Sequence, residues 1–318
     1  VNLLEKLYTV IIFASVVIGI LLGQIGVISK NAELAILPLL IIMLFIIFFQ
    51  IPLEEIKDSV KNIKFAKWSL IINFIWTPLL AYILATIFLA DHPALWVGFI
   101  MLMVTPCTDW YLVFTGLARG NTALSGTILP INLILQLLLL PGYLFLFAGT
   151  TGMVKLDYVL EGFILVLVIP FLLAGMVKLV FRKREETYHR LSNRLSPLPI
   201  VLLSLAIVAM FASQGQYLIG NLQLLWVLLL PIVAFFIINF IVSQFIGRKL
   251  SFSYKNKVSL TMTTLARNSP VALALAITAF PNEPLIALAL VIGPLLELPI
   301  LMVVVQVLLW KKRVEKLQ

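Results

Sequence analysis

The sequence predicts an all-α polytopic membrane protein, with ten transmembrane helices arranged as two inverted five-helix repeats and with helices four and nine broken. Three observations carry this reading: an apolar composition, ten apolar stretches of bilayer length, and basic residues gathered on one side of them. Of the 318 residues, 62% are hydrophobic and 12% charged, against about 45–50% and about 25% in soluble domains. Mean hydropathy is +1.12. Such a chain has too little polar surface to cover a globule in water. A cytosolic enzyme, a disordered chain and a nucleic-acid binder are thereby excluded, although the net charge is +9. The single cysteine, Cys107, excludes a disulfide framework and a cysteine-rich metal site.

A transmembrane helix needs about 20 mostly apolar residues. Stretches of that kind cover 7–23, 34–51, 68–90, 94–118, 122–148, 158–181, 198–213, 222–246, 258–280 and 285–310. The first is expected to stay on the chain, since no small-residue cleavage site follows its apolar run. Connections are short, so the expectation is one domain over 1–318, with repeat one at 1–149 and repeat two at 150–318. Charge tests the count. Twenty of the 23 basic residues fall on the side holding the N-terminus: Lys6, Arg119, and clusters at 57–67, 178–194, 248–257 and 311–316. Only Lys30 and Lys155 fall on the other side, and Arg267 lies inside a span. By the positive-inside rule the basic side is cytoplasmic, which puts both termini inside the cell. The basic excess then reads as topology and contact with anionic lipid in the cell membrane.

Five spans per half is an odd number, so the second half must be inverted relative to the first. Pro106 and Pro270 are 164 residues apart, and so are Pro130 and Pro294. Each proline removes a backbone donor, and in lipid such breaks occur where the backbone faces protein or a wet cavity. The first break reads Thr105-Pro106-Cys107-Thr108-Asp109-Trp110 and the second Ala266-Arg267-Asn268-Ser269-Pro270. Pro294 and Pro299 make the surroundings of Glu297 irregular as well. Packing kinks would also explain the prolines, but a kink alone needs no ionisable residue beside it. Inverted repeats with discontinuous helices are the usual build of secondary transporters.

Twelve of the 14 acidic residues fall in loops or at span ends; Asp109 and Glu297 do not, and Arg267 shares their depth. A charge near the bilayer centre costs about 2.5–3.5 kcal/mol on insertion scales. Arg267 can neutralise one carboxylate fully, which leaves the other able to take up a proton, as a proton-coupled carrier requires. A static bridge from Arg267 to Asp109 or to Glu297 is the plainer alternative. Cys107 is either a small buried hydrophobe or, at the start of a half-helix, a thiolate suited to a thiophilic metalloid. His92 and His189 are expected in solvated loops, without partners at metal-ligand spacing. Asn132, Gln136, Asn239, Gln244 and Gln306 are further polar groups within spans, each a helix–helix hydrogen bond or a cavity residue. No nucleophile–base set and no metal triad points to an enzyme, no cofactor is implied, and a channel would ask for a repeated pore ring.

The stretch from Thr105 through Pro141, with Pro106-Cys107-Thr108 and Leu117-Ala118-Arg119-Gly120, resembles the broken fourth helix and the fifth helix of the bile acid:sodium symporter superfamily. Ala266-Arg267-Asn268-Ser269 through Gly293-Pro294-Leu295-Leu296-Glu297-Leu298-Pro299 resembles its ninth and tenth helices. Within that superfamily the chain is most similar to the arsenite-efflux (arsenical-resistance permease) branch. The resemblance implies that Cys107 and Glu297 matter for transport. It also implies a core of helices at 68–148 and 222–310 in which the broken helices four and nine cross, with panel helices at 7–51 and 158–213. Tyr111, Leu112, Thr263 and Arg267 stand where bile-acid-type members hold sodium, which implies transport without it. Asp109 and Trp110 depart from the apolar residues with which arsenite permeases continue Pro-Cys-Thr.

The combined expectation is a secondary active transporter, an antiporter that couples proton movement to efflux of arsenite or a related small metalloid anion. Cys107, Thr108, Asp109, Arg267, Asn268, Ser269 and Glu297 would bind substrate or exchange protons, and Pro106, Pro270 and Pro294 would break the helices. The alternative is a sodium-independent organic-anion carrier of the same superfamily, with Arg267 on a substrate carboxylate.

Overall fold

The computed structural model describes residues 8–50, 62–108, 110–149, 156–181, 185–220 and 223–314. Among these residues every named element is a helix and none is a strand. Helix α1 is Tyr8–Leu22 and α2 is Gly26–Gln50. Buried Ile36, Leu40, Met43, Leu44 and Ile47 recur at three- and four-residue spacing on α2 and form its packing stripe. Exposed Leu34 and Ile42 lie off that stripe. The helix begins eight residues before the apolar run predicted at 34, because Lys30, Asn31 and Glu33 are compatible with helix although not with hydrocarbon.

Helix α3 (Ile63–Phe88) starts where the Asn62 side chain accepts a hydrogen bond from the Phe65 N–H at 3.2 Å. It passes through one π-helical turn at Ile72–Trp76, just before Pro78. Pro78 has no N–H for the carbonyl of Phe74, four residues back; the Tyr143 hydroxyl donates to that carbonyl instead, at 2.5 Å. Helices α4 (Pro93–Met103) and α5 (Trp110–Leu117) are separated by the first break. Helix α6 (Thr122–Phe147) is capped by Asn121, which accepts from the Leu124 N–H at 3.1 Å. Then come α7 (Asp157–Phe181), α8 (Glu185–Leu195) and α9 (Leu198–Gly220). His189 therefore sits on a charged amphipathic helix, not in a loop as its polar surroundings suggested. Last are α10 (Gln223–Lys249), α11 (Tyr254–Leu265), α12 (Ser269–Ala279) and α13 (Pro284–Val314). The second break separates α11 from α12.

Seven helical runs among the described residues are long and apolar enough to cross a membrane: α2, α3, α6, α7, the run through α9, α10 and α13. Val10–Leu22, α4 and α12 are shorter apolar helices. At 1.5 Å per residue, the 11 residues of α4 or of α12 extend about 16 Å, half a bilayer core. The expected span ends at 7, 51 and 222, and Asp109, lie outside the described residues.

Helix α9 packs on both α1 and α2, and α7 packs on α2. Elsewhere α13 packs on α4, α10 on α11 and on α3, and α12 on α13. The approach of α4 to α13 needs Gly98, where a Cβ would stand 2.7 Å from the Ala289 Cβ and 2.9 Å from the Ile286 carbonyl. That close contact brings the first break against the middle of α13.

Candidate functional site: two paired breaks

The two breaks lie side by side as short extended segments. Pro106 and Arg267 form an antiparallel bridge. The Cys107 N–H donates to the Ala266 carbonyl at 3.0 Å, and the Asn268 N–H donates to the Thr105 carbonyl at 2.7 Å. The prolines explain why these bonds are needed. A proline leaves the carbonyl four residues before it without its helical donor. Pro270 frees the Ala266 carbonyl, which the Cys107 N–H takes from the other break. Pro106 frees the Leu102 carbonyl, to which the Thr105 hydroxyl donates at 3.0 Å. Pro294 frees the Leu290 carbonyl, and the Ser269 hydroxyl donates to it. Each freed carbonyl thus finds a donor in one of the two breaks.

The half-helix that follows the second break starts on Asn268. Its Oδ1 accepts from the Val271 N–H at 3.4 Å, while its Nδ2 donates to the Thr108 hydroxyl at 3.3 Å. Below the breaks, the α5–α6 corner is fastened to α11. The Tyr254 hydroxyl donates to the Ala118 carbonyl at 2.9 Å, and the Ser259 hydroxyl to the Asn121 carbonyl at 2.8 Å. Arg119 holds a left-handed backbone there, with φ 57°.

Arg267 is fully buried. Its Nε donates to the Leu265 carbonyl at 3.0 Å and its Nη1 to the Met103 carbonyl at 2.9 Å. Its Nη2 donates to the Thr264 carbonyl and, at 3.2 Å, to Asn73 Oδ1. The ring of Phe235, on α10, lies 5.5 Å from the guanidinium carbon. Met103 ends α4, and Thr264 and Leu265 end α11. These carbonyls belong to two helix C-termini, each carrying about half a negative charge. The side-chain hydrogen bonds of the guanidinium therefore go to two helix ends and Asn73, while the Glu297 carboxyl acts on it electrostatically without such a bond. Among the described residues, none of its side-chain hydrogen bonds goes to a carboxylate; a bridge from its side chain to Glu297 is not the arrangement observed.

Glu297 is buried on α13. Its Oε1 accepts the backbone N–H of Arg267 at 2.8 Å, and its Oε2 has no hydrogen-bond partner. The indole of Trp110, at the start of α5, lies against the same carboxyl group. Cys107 and Thr108 are buried at the first break, and Asn268 and Ser269 at the second. The sequence-based set thus converges on one place, apart from Asp109, which lies outside the described residues. Among those residues no three His, Cys, Asp or Glu side chains form a metal-ligand set.

Sequence reasoning missed Asn73, which holds the guanidinium and donates to the Thr263 carbonyl at 3.1 Å. It also gave no site role to Trp110 or Phe235. Asn73 did carry a signal: it is the only amide side chain within 68–90, five residues before Pro78. Of the other in-span amides, Asn239 accepts from the Trp76 indole at 2.9 Å and Gln244 donates to Thr261 at 2.9 Å. Gln306 is exposed. Asn132 and Gln136, one turn apart on α6, are buried without hydrogen-bond partners.

A multi-pass helical bundle that joins two broken helices around a buried carboxyl and a buried guanidinium is the construction of a membrane transporter. The family model of the sodium bile acid symporter family matches residues 37–221, more than half of the chain. The chain belongs to that family. It is 27% identical to the arsenical-resistance protein Acr3 of Corynebacterium glutamicum, over 81% of this chain and 75% of that one. It is 22% identical to the Acr3 protein of Alkaliphilus metalliredigens, over 96% of this chain and 92% of that one. An uncharacterized transporter of Synechocystis is 25% identical over 96% of this chain and 88% of its own length.

Proposed function

We propose that this protein is a proton-coupled secondary transporter that extrudes arsenite or a related small metalloid anion across the plasma membrane. One observation carries the reading: Glu297, a fully buried carboxyl whose Oε1 accepts the Arg267 N–H, adjoins the break that bears Cys107. The arsenical-resistance names of two relatives support the substrate. A metalloid hydroxyl donates to the ionised Oε2 of Glu297, and the soft sulfur of Cys107 meets the metalloid centre. A proton arriving on Oε2 removes that acceptor and displaces the substrate. Competition for one oxygen then couples the two flows in opposite directions. Thr108, Asn268 and Ser269 hold the break in place, and Asp109, two residues on from Cys107 in the sequence, is a second proton site.

In this proposal the chain crosses the membrane ten times, α4–α5 and α11–α12 each making one interrupted crossing, with the halves inverted. Helices at 68–148 and 222–310 form the core and those at 7–51 and 158–213 the panel. The basic ends face the cytoplasm together with both termini. Support comes from the three shorter apolar helices, from the packing of α9 and α7 on α2, and from the charge asymmetry of the sequence. An organic-anion carrier would need Arg267 for a substrate carboxylate, and that guanidinium is occupied by four oxygens.

Everted membrane vesicles test the reading. Arsenite should accumulate when the lumen is acid, stop when a protonophore is added, and be unchanged when potassium replaces sodium. Accumulation that needs sodium, or that occurs with bile acids and not with arsenite, overturns it. In the same vesicles Cys107→Ser should lower arsenite uptake by about tenfold, equal to about 1.4 kcal/mol, at unchanged protein level. Oxygen is the harder ligand, so a thiophilic substrate registers the exchange. Unchanged uptake would make Cys107 a packing residue.

A further inference from the structure

The surroundings of the Arg267 guanidinium are those of a cation site. Three backbone carbonyls from two helix ends and the Asn73 side-chain oxygen converge on it, and an aromatic ring lies beside it. Carbonyl cages and helix C-termini are what proteins offer to monovalent cations inside membranes, and ring faces attract them further. None of these groups belongs to the side chain of Arg267, so the cage persists when that side chain is shortened. The guanidinium also joins elements that nothing covalent joins nearby: α3 through Asn73, α4 through Met103 and α11 through Thr264 and Leu265.

We infer that Arg267 is a tethered cation: its side chain fills a four-oxygen cage at the crossing, and the cage emptied by truncation takes up a free guanidinium-type monovalent cation. The inference rests on the geometry of the crossing and not on the substrate or the proton coupling proposed above. The tether fixes the crossing without any dissolved ion, because the local concentration of a covalently attached cation far exceeds that of a free one. A truncated variant would acquire a dependence on salt composition that the native chain lacks.

The experiment is thermal unfolding of the purified full chain in detergent, with choline chloride as the background salt. Arg267→Ala empties the cage, Arg267→Met fills it with a neutral chain, and Arg267→Lys restores a cation. Guanidinium chloride at tens of millimolar, well below denaturing strength, should raise the midpoint of Arg267→Ala by a few degrees, as selective binding to the folded state requires. It should not raise the midpoint of Arg267→Met, Arg267→Lys or the native protein. Methylguanidinium and sodium serve as probes of size; a response to sodium alone would overturn the guanidinium assignment. If Arg267→Ala gives no folded protein, Lys and Met decide: Arg267→Lys should melt clearly above Arg267→Met. Equal melting of these two, or an Arg267→Ala variant that folds and ignores guanidinium, overturns the inference.

Discussion

Glu297→Gln is expected to abolish proton-driven arsenite accumulation while leaving a folded protein. The amide oxygen can still accept the Arg267 N–H that Oε1 accepts at 2.8 Å, so the link between α13 and the second break survives. Exchanging a charged acceptor for a neutral one costs about 1 kcal/mol, small against the stability of a bundle of this size. The chemistry does not survive, because an amide in place of Oε2 neither takes up a proton nor accepts from the substrate. Accumulation in everted vesicles should fall to background at every lumen pH, with a melting midpoint near that of the native chain. Retained accumulation with its dependence on lumen acidity would remove Glu297 from the proposed exchange.

Arg267→Met should be strongly destabilising, and adding Glu297→Gln should not repair it. Methionine matches the length of the arginine stem and leaves the oxygens of Met103, Thr264, Leu265 and Asn73 without their common donor. Removing one side of a buried charged network costs about 3–5 kcal/mol. Were the guanidinium balanced by the carboxylate, neutralising Glu297 as well would recover much of that loss. Its four side-chain hydrogen bonds go to helix ends and Asn73 instead, so the double variant should recover less than about 1 kcal/mol. Melting of the two variants in detergent decides between these accounts, and substantial recovery in the double variant would restore the ion-pair reading.

What the sequence could reveal here follows from the range of each interaction. Prolines act locally. From Pro78, Pro106, Pro270 and Pro294 alone one can name the orphaned carbonyls as Phe74, Leu102, Ala266 and Leu290. Their donors are another matter. Thr105 serves Leu102 from within its own break, but Tyr143, Cys107 and Ser269 reach the other three from different helices. No periodicity encodes such a pairing. The polar content of the breaks made Cys107, Thr108, Asn268 and Ser269 legible, and two prolines near Glu297 made it stand out. The partners of Arg267 were not legible, since backbone carbonyls have no letter in a sequence. Counting charges suggested a carboxylate, and the helix ends that hydrogen-bond the guanidinium carry no formal charge. The interrupted helices likewise account for two of the three apolar stretches that are not among the seven long crossings of the described residues; the third is Val10–Leu22.

The mutual capping of the breaks has a mechanical consequence. Pulling the two extended segments apart would strand the Ala266 and Thr105 carbonyls and the Cys107 and Asn268 N–H groups. In a dry interior each such group costs several kcal/mol, more than a proton gradient can readily supply per turnover. The pair of breaks therefore behaves as an axle. It can tilt or rotate as a unit, but it cannot open as a gate. Motion must be taken up at contacts that hold no such bonds, by apolar helix faces sliding past one another, so an engineered cross-link between the two breaks should be tolerated throughout the transport cycle.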